Sequence, residues 1–187
     1  MIHAARQDFP GACAARSERD ACGDPDPDPD PARPVLICFS HLRWNFVYQR
    51  PQHLMSRMAR EHRVLYVEEP IRTEGAAPQL AVRDEADGIR VLVPHLPCSH
   101  QGAAADAAQR DLLDGYLQAQ GMECMTVWYY TPMALAFSNH LPRMLTVYDC
   151  MDELSAFRGA PPELVARERE LLARADVVFT GGHSLYE

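Results

Sequence analysis

The sequence predicts an α/β domain built on a doubly wound, Rossmann-like parallel sheet. Short apolar runs without polar alternation recur along the chain, as expected of strands that are buried on both faces. Segments with helical periodicity lie between these runs. Because strands alternating with helices form parallel sheets with right-handed crossovers, this order predicts the fold class.

The first unit of this pattern runs from Val35 to Arg60. Its buried strand (VLICF, 35–39) is followed by a polar and aromatic loop, and Pro51 then suits the first turn of a helix. The residues expected on the buried helix face are Leu54, Met55, Met58 and Ala59, and those expected on other faces are Gln52, His53, Arg57 and Arg60.

The remaining elements follow from the same two signals. Gly121 is expected to end the long central helix, because glycine tolerates the backbone conformation that follows a helix. Residues 94–102 are predicted to form a loop. Further strands are predicted at 64–67, 80–82, 89–93, 125–129, 144–148 and 177–180, and further helices at 104–120, at 133–138 and after Pro161-Pro162.

The two ends of the chain differ from this pattern. Residues 1–33 include an Asp-Pro repeat at 24–31 that can form neither helix nor sheet ladders, which predicts a disordered acidic tail. Ser184 and Glu187 have the capping-box spacing of a helix start. We therefore expect the folded domain, 34–187, to be incomplete at its C-terminus and to belong to a longer protein.

Composition limits the functional classes. A net charge of −8 argues against general nucleic-acid binding. No apolar run approaches the roughly 20 residues that cross a bilayer, and the first residues lack the apolar core of a secretory signal. The six cysteines show no CxxC pairing, so reduced thiols and a cytoplasmic location are expected.

Four strand-to-loop junctions are expected to meet at one edge of the sheet, where ligands of such folds bind. The first is the loop 40–50, which leads into a helix N-terminus. With Arg43 or Arg50 nearby, it suits a phosphate or carboxylate. Alternatively, Trp44, Phe46 and Tyr48 pack this loop onto the sheet while the arginines face water.

Two more junctions carry hydroxyl and carboxyl groups. Tyr130 and Thr131 are suited to hydrogen-bond a sugar hydroxyl, or they form a tight turn with a stacked tyrosine pair. Asp149, Asp152 and Glu153 can act as a general base or bind a hydroxyl or a metal. Alternatively, Asp152 or Glu153 caps the next segment.

The fourth junction contains Gly181 and Gly182 before Ser184. Paired glycines before a helix start allow close backbone approach to a ligand, and they also form plain tight turns. No GxGxxG, P-loop or G-x-S-x-G motif occurs, and the histidines lack metal-ligand spacing. The sequence thus predicts neither a cofactor nor a metal.

Three segments resemble the N-terminal domain of bacterial GT-B glycosyltransferases of the family 1/family 4-like type. They are WNFVYQRPQHL (44–54), VYDCMDEL (147–154) and ADVVFTGGHSLYE (175–187). The resemblance covers about residues 34–187, the whole predicted fold.

The resemblance implies one half of a two-domain enzyme. In such enzymes this domain holds the acceptor, a second Rossmann-like domain binds the nucleotide-sugar donor, and basic side chains and helix dipoles stabilise the leaving diphosphate without a metal. The residues that match the cleft-facing first loop are Arg43, Trp44, Gln49 and Arg50, and those that match the acidic loop are Asp149, Asp152 and Glu153.

These 187 residues contain no counterpart of the donor domain, so the chain alone is expected not to transfer sugar. The implied partners are a sugar or glycolipid acceptor and a nucleotide-sugar donor, and peripheral contact with a membrane stays open. The alternative is a Rossmann-like binding or interaction module without catalysis. A receiver-like flavodoxin fold fits less well, because Ser40-His41 stands where an acidic pair would follow the first strand.

Overall fold

The computed structural model describes residues 32–75, 77–85 and 88–185; the predicted tail therefore lies almost entirely outside the described residues, as do Tyr186 and Glu187. The described residues form one eight-stranded sheet with flanking helices. The strands are β1 (Val35–Ser40), β2 (Arg63–Glu68), β3 (Ile71–Thr73), β4 (Gln79–Asp84), β5 (Ile89–Pro97), β6 (Met125–Tyr129), β7 (Arg143–Cys150) and β8 (Val177–Thr180). The α-helices are α1 (Arg50–Met58), α2 (Ala103–Ala119), α3 (Leu135–Ser138) and α4 (Leu164–Arg174).

The strand order is β3-β5-β2-β1-β6-β7-β8, with β4 paired to β5. Only the β4–β5 pair is antiparallel among the described strands. β1 is central, with β2 on one side and β6 on the other. The chain thus winds away from β1 in both directions, which confirms the predicted doubly wound α/β fold.

Each face of the sheet has its own core. Ile37 and Phe39 of β1 pack on the face that carries α2, α3 and α4, where they join residues such as Leu113 and Leu171. Leu36 and Cys38 point to the opposite face, covered by α1 through residues such as Met55. Because both faces are covered, every residue of β1 is buried, which explains its unbroken apolar sequence.

The region around β5 differs from the prediction. β5 continues through Pro97, whereas 94–102 was predicted as loop. It continues because His95 pairs on one side with Ile71 of β3 and on the other with Gln79 of β4. β3 itself was not predicted, since three residues are too few to show a periodicity.

The last strand also differs in its surroundings. β8 forms where predicted, but it is the edge strand of the described sheet. Val177, Val178 and Phe179 remain 36%, 40% and 42% exposed, in contrast to the buried central strands. α4 begins at Leu164, two residues after the proline pair.

Candidate functional site

The carboxyl ends of β1, β6, β7 and β8 lie side by side on one edge of the sheet, as the sequence predicted. Backbone hydrogen bonds extend the pairing into the loops. Tyr130 N donates to Phe39 O over 2.8 Å, and Gly181 N donates to Cys150 O over 2.8 Å. The four junctions singled out in the sequence are therefore neighbours.

Arg50 and Asp149 join two of these junctions. Arg50 Nη2 lies 2.9 Å from Asp149 Oδ1, and Arg50 Nε donates to Asp149 Oδ2 over 3.0 Å. The Asp149 side chain is fully buried, and the Arg50 side chain is 39% exposed. Burial raises the pKa of Asp149, and the guanidinium of Arg50 opposes that rise. Asp149 thus orients the guanidinium of Arg50, and the Arg50 side chain remains partly exposed to solvent.

Tyr130 lies in the same region, and its residue is only 1% exposed. Burial, and then the neighbouring Cys38 and Asp149, raise the pKa of Tyr130 and keep the phenol neutral. The predicted stacked tyrosine pair does not form. Tyr129 stacks on Phe39 at 5.3 Å between ring centroids, whereas Tyr130 points to the other face and lies 6.3 Å from Trp128.

His41 is a candidate that the sequence analysis did not select. It follows β1 directly and is half-buried. Burial lowers the pKa of His41, while the Asp152 carboxylate and a hydrogen bond with the Tyr130 backbone act in the opposite direction. Its position after the first buried strand was the available signal. We call His41, Arg50, Tyr130, Asp149 and Asp152 the polar cluster.

The rest of the first loop is fixed toward β2. Arg43 Nη1 lies 2.9 Å from Glu68 Oε2 and donates to the Glu69 carbonyl over 2.7 Å. The Trp44 N–H donates to Glu68 Oε1, and the Trp44 ring meets Tyr66 edge-on at 5.0 Å. Trp44 therefore packs the loop onto the sheet, and Arg43 holds it there.

Gln52 was not expected on the buried face of its helix, and this expectation was wrong. The residue is 2% exposed. Its Nε2 donates to Trp44 O over 2.7 Å, and its Oε1 accepts from Gln49 N over 3.0 Å. Gln52 is buried because its side chain makes hydrogen bonds with two backbone groups of the preceding loop.

The aromatic residues later in the loop do not pack as Trp44 does. Phe46 is 77% exposed and Tyr48 is 61% exposed. The packing alternative thus holds for Trp44 alone among the three aromatic side chains.

A cavity of about 390 Å³ opens at the carboxyl ends of β1, β2 and β6, on the side of the sheet that carries α2. We call it the switch-point cavity, because the chain reverses direction across the sheet here and ligands of open α/β sheets bind at such points. Of the predicted site residues, Thr131 lines it. Its polar lining consists of Ser40, Glu69, Arg72, Asp106, Gln109, Thr131, Glu163 and Arg167.

Most of this lining was missed in the sequence because it comes from elements far apart in the chain. Asp106 lies in the first turn of α2, and Arg167 lies on α4, with 3.8 Å between Arg167 Nη2 and Asp106 Oδ2. The available signal was Gly102, the last residue of the segment predicted as loop; it lies just before α2 with a φ of 51°.

Acidic and basic groups are mixed in the cavity. Glu69, Asp106 and Glu163 are opposed by Arg72 and Arg167. Burial raises the pKa of Glu69, and Arg43 opposes that rise. Carboxylates accept hydrogen bonds, whereas guanidinium and amide groups donate them. This combination suits a neutral ligand with many hydroxyl groups better than a polyanion.

The remaining predicted residues lie beside the polar cluster. Glu153 accepts a hydrogen bond from Ser155 Oγ. A Cβ on Gly181 would lie 2.4 Å from Met151 O, whereas nothing lies within 4 Å of the corresponding point on Gly182. The close approach at Gly181 is thus to the chain itself. Ser184 belongs to the 3₁₀ turn His183–Leu185, and its side chain lies outside the described residues.

Two features are absent from the described residues. No group of three or more His, Cys, Asp and Glu side chains is arranged to hold a metal ion. None of the described helices combines the length and the apolar character that crossing a bilayer requires.

Comparison with protein-family models and with curated proteins finds no match. Solved structures of GT-B glycosyltransferases do match. Sucrose-phosphate synthase from Thermosynechococcus elongatus aligns with a TM-score of 0.54 at 9% identity, over 78% of this chain and 42% of that chain. This similarity shows a shared α/β fold, and the chain spans less than half of the solved protein's length.

Two weaker matches are of the same kind. A trehalose-6-phosphate synthase from E. coli bound with UDP-2-fluoro glucose gives a TM-score of 0.42 at 14% identity, over 77% of this chain and 39% of that chain. An alpha,alpha-trehalose-phosphate synthase from Burkholderia xenovorans in complex with glucose-6-phosphate gives 0.41 at 11% identity, with the same coverage of 77% and 39%.

Proposed function

We propose that residues 34–187 are the acceptor-binding domain of a nucleotide-sugar-dependent glycosyltransferase. The observation that carries this proposal is the switch-point cavity, which combines a ligand-binding position of the fold with a lining suited to hydroxyl groups. Its volume of about 390 Å³ lies near the lower end of small-molecule pockets, so it suits one sugar ring rather than an oligosaccharide.

The polar cluster would serve the transfer step. Arg50 presents a positive charge beside the N-terminus of α1, and both features favour a phosphate group. We assign Arg50 to the donor diphosphate and Asp149 to the orientation of Arg50. Asp152, next to His41, and Glu153 are the groups that would accept the proton of the acceptor hydroxyl.

The other predicted residues would shape the site. Arg43, Trp44 and Gln49 belong to the network that holds the first loop against β2 and α1. Thr131 lines the cavity directly. Gly181, Gly182 and Ser184 would form the adjoining wall of the cleft. We further propose that a second, donor-binding domain completes the enzyme and that these residues alone do not transfer sugar.

A binding module without catalysis is the second candidate. The observation that favours it is that the cavity lies on the α2 side of the sheet, whereas α1 and the Arg50–Asp149 pair lie on the other side. Binding in the cavity would therefore not need the polar cluster. In that case substitutions in the polar cluster should leave ligand binding in the switch-point cavity unchanged.

Ligand-observed NMR with a panel of monosaccharides and sugar phosphates tests the proposal on the chain itself. We expect binding that is weakened by roughly ten- to a hundredfold by Arg167→Gln, since hydrogen bonds to charged groups contribute about 1.5–3 kcal/mol. Arg169→Gln is the matched control, because Arg169 lies exposed on the same helix and outside the cavity.

The same chain is then incubated with UDP- and GDP-sugars and an acceptor that binds. We expect no transfer. Absence of any sugar binding, or equal binding by the two arginine variants, would refute the assigned acceptor site. Transfer by the chain alone would refute the requirement for a second domain.

A further inference from the structure

A depression of about 350 Å³ lies along α1 and the turn that ends it. Tyr48, in the loop before the helix, borders the depression, and its ring meets the His53 ring edge-on at 4.6 Å between centroids. The other lining positions are three or four residues apart, so they are neighbours on one helical face. We call this site the α1 depression, and its lining residues are Tyr48, His53, Ser56, Arg57, Ala59 and Arg60.

The α1 depression is positively charged. Its lining contains two arginines and no acidic residue, so its charge is +2 with His53 neutral. Both Arg57 and Arg60 are exposed, and neither forms an ion pair within the described ranges. Glu61, the acidic residue next to Arg60 in the sequence, does not line the depression. The two guanidinium charges are therefore available to a ligand.

The side chains of the depression also supply hydrogen-bond donors. Arg57 Nη1 donates to the His53 carbonyl, which fixes this guanidinium on the helix while its other N–H groups have no partner among the described residues. Ser56 Oγ is buried and has no partner in the same part of the chain, although a buried hydroxyl is normally hydrogen-bonded. A ligand group with several acceptor oxygens would satisfy these donors together.

We propose that the α1 depression binds the phosphate monoester group of a small soluble ligand. Such a group carries nearly two negative charges and three acceptor oxygens at neutral pH. The planar guanidinium of arginine matches pairs of phosphate oxygens, and the two arginines balance the charge of the group. A carboxylate has one charge and two oxygens, so it would use fewer of these donors. The volume of about 350 Å³ is near the lower end for small-molecule sites.

The α1 depression is separate from the sites assigned above. It shares no lining residue with the switch-point cavity, and α1 and α2 cover opposite faces of the sheet. Arg57 also lies about two helical turns beyond Arg50, the residue assigned to the donor diphosphate. The phosphate ligand is therefore an additional ligand, distinct from the acceptor in the cavity. Its binding does not depend on the proposed function.

Isothermal titration calorimetry of the chain with glycerol 3-phosphate tests the proposal. We expect saturable binding of glycerol 3-phosphate and of inorganic phosphate, and no binding of glycerol. Arg57→Gln and Arg60→Gln should each weaken binding about tenfold, the lower end for hydrogen bonds to charged groups. Arg57→Lys should weaken it less, because it keeps the charge and loses only the paired donors. Ser56→Ala should weaken it about fivefold, as expected for a neutral hydrogen bond.

Matched controls distinguish the depression from a general effect of charge. Arg110→Gln and Arg169→Gln each remove one exposed arginine, from α2 and from α4. Both control variants should bind glycerol 3-phosphate like the parent chain. Backbone amide NMR shifts on addition of glycerol 3-phosphate should be confined to the segment 48–60 and its immediate neighbours. Thermal melting without ligand verifies that every variant is folded.

Three outcomes would overturn the proposal. They are no saturable binding of glycerol 3-phosphate at millimolar concentration, equal losses in depression and control variants, and equal competition by sodium chloride at the same ionic strength. Binding only when the phosphate monoester is carried by a peptide or a vesicle would also contradict a small soluble ligand. Monosaccharide binding in the switch-point cavity should be unchanged in the depression variants, so failure of this proposal and failure of the proposed function remain distinguishable.

Discussion

Arg50 and Asp149 form a two-point ion pair between residues 99 positions apart in the sequence, with distances of 2.9 and 3.0 Å. The pair ties the first residue of α1 to the end of β7. Its two members differ in burial, because the carboxylate is fully buried and the guanidinium is 39% exposed. Their substitutions should therefore differ in cost.

Arg50→Gln should lower the free energy of unfolding by about 2–3 kcal/mol, because it leaves a buried carboxylate without a charged partner. This is below the value for fully buried pairs, since water already reaches Arg50. Asp149→Asn should cost only about 1 kcal/mol, because the remaining guanidinium can be solvated. Chemical denaturation of both variants gives the comparison, and equal costs would contradict the assigned asymmetry.

The deficit of Arg50→Gln should also shrink as the pH falls. Burial raises the pKa of Asp149 above its ordinary value of 3.8, so the folded state takes up this proton more readily than the unfolded state. Protonation removes the unpaired buried charge. The unfolding free energies of variant and parent should converge between neutral pH and about pH 4, and a constant difference would contradict this.

Gly181→Ala should destabilise the chain by about 1–3 kcal/mol, the usual cost of forcing a methyl group into an occupied site. The new Cβ would lie 2.4 Å from Met151 O, a backbone atom that cannot rotate away. Gly182→Ala is the neighbouring control, because its Cβ meets nothing within 4 Å. Gly181→Ala should melt at a lower temperature than Gly182→Ala. Similar melting temperatures would show that the backbone at Met151 moves aside at little cost.

His41 should make stability depend on pH. Burial lowers the pKa of His41 below 6.5, so the unfolded chain binds this proton more readily than the folded chain. Stability should therefore fall as the pH drops below about 6.5, with a slope of at most roughly 1.4 kcal/mol per pH unit from this group. His41→Gln should flatten the profile of unfolding free energy between pH 7 and 5. An unchanged slope would assign the effect to other histidines.

Gln52→Met should cost about 1–3 kcal/mol, because it leaves the Trp44 carbonyl and the Gln49 N–H without their side-chain partner. Gln118→Met is the control, since Gln118 is exposed on α2. That change should stay within about 0.5 kcal/mol. Urea denaturation measures both, and a small loss for Gln52→Met would mean that water replaces its hydrogen bonds.

The central strands were predictable because the apolar run of each strand indicates that the strand is buried. β1 and β2 are buried at every position and β6 at four of five, each strand has an apolar run at its centre, and both faces of these strands are covered. β8 has the same local character as these strands, yet it lies at the edge of the described sheet. An apolar run in the sequence shows that a strand is apolar, but it does not show whether the strand lies at the centre or the edge of the sheet.

The site was only partly predictable for a related reason. The edge at which Arg50, Asp149 and Gly181 meet follows from the topology, because the carboxyl ends of parallel strands align. The pairing of Arg50 with Asp149 and the contribution of Arg167 to the cavity are long-range contacts without any local pattern. Gln52 illustrates the limit, since its burial follows from two backbone groups of a loop rather than from its polarity.

The central position of β1 also sets the order in which the chain can complete its sheet. Val35 pairs with Arg63 on one side and with Met125 on the other. During synthesis the first partner emerges soon, but the second emerges only after β2 to β5 and α2 have been made. Until then the backbone N–H and C=O groups along one edge of β1 lack their hydrogen-bonding partner strand, which slows folding and leaves the nascent domain open to aggregation. A cell that makes this protein would need to shield that edge while translation proceeds from residue 63 to residue 125.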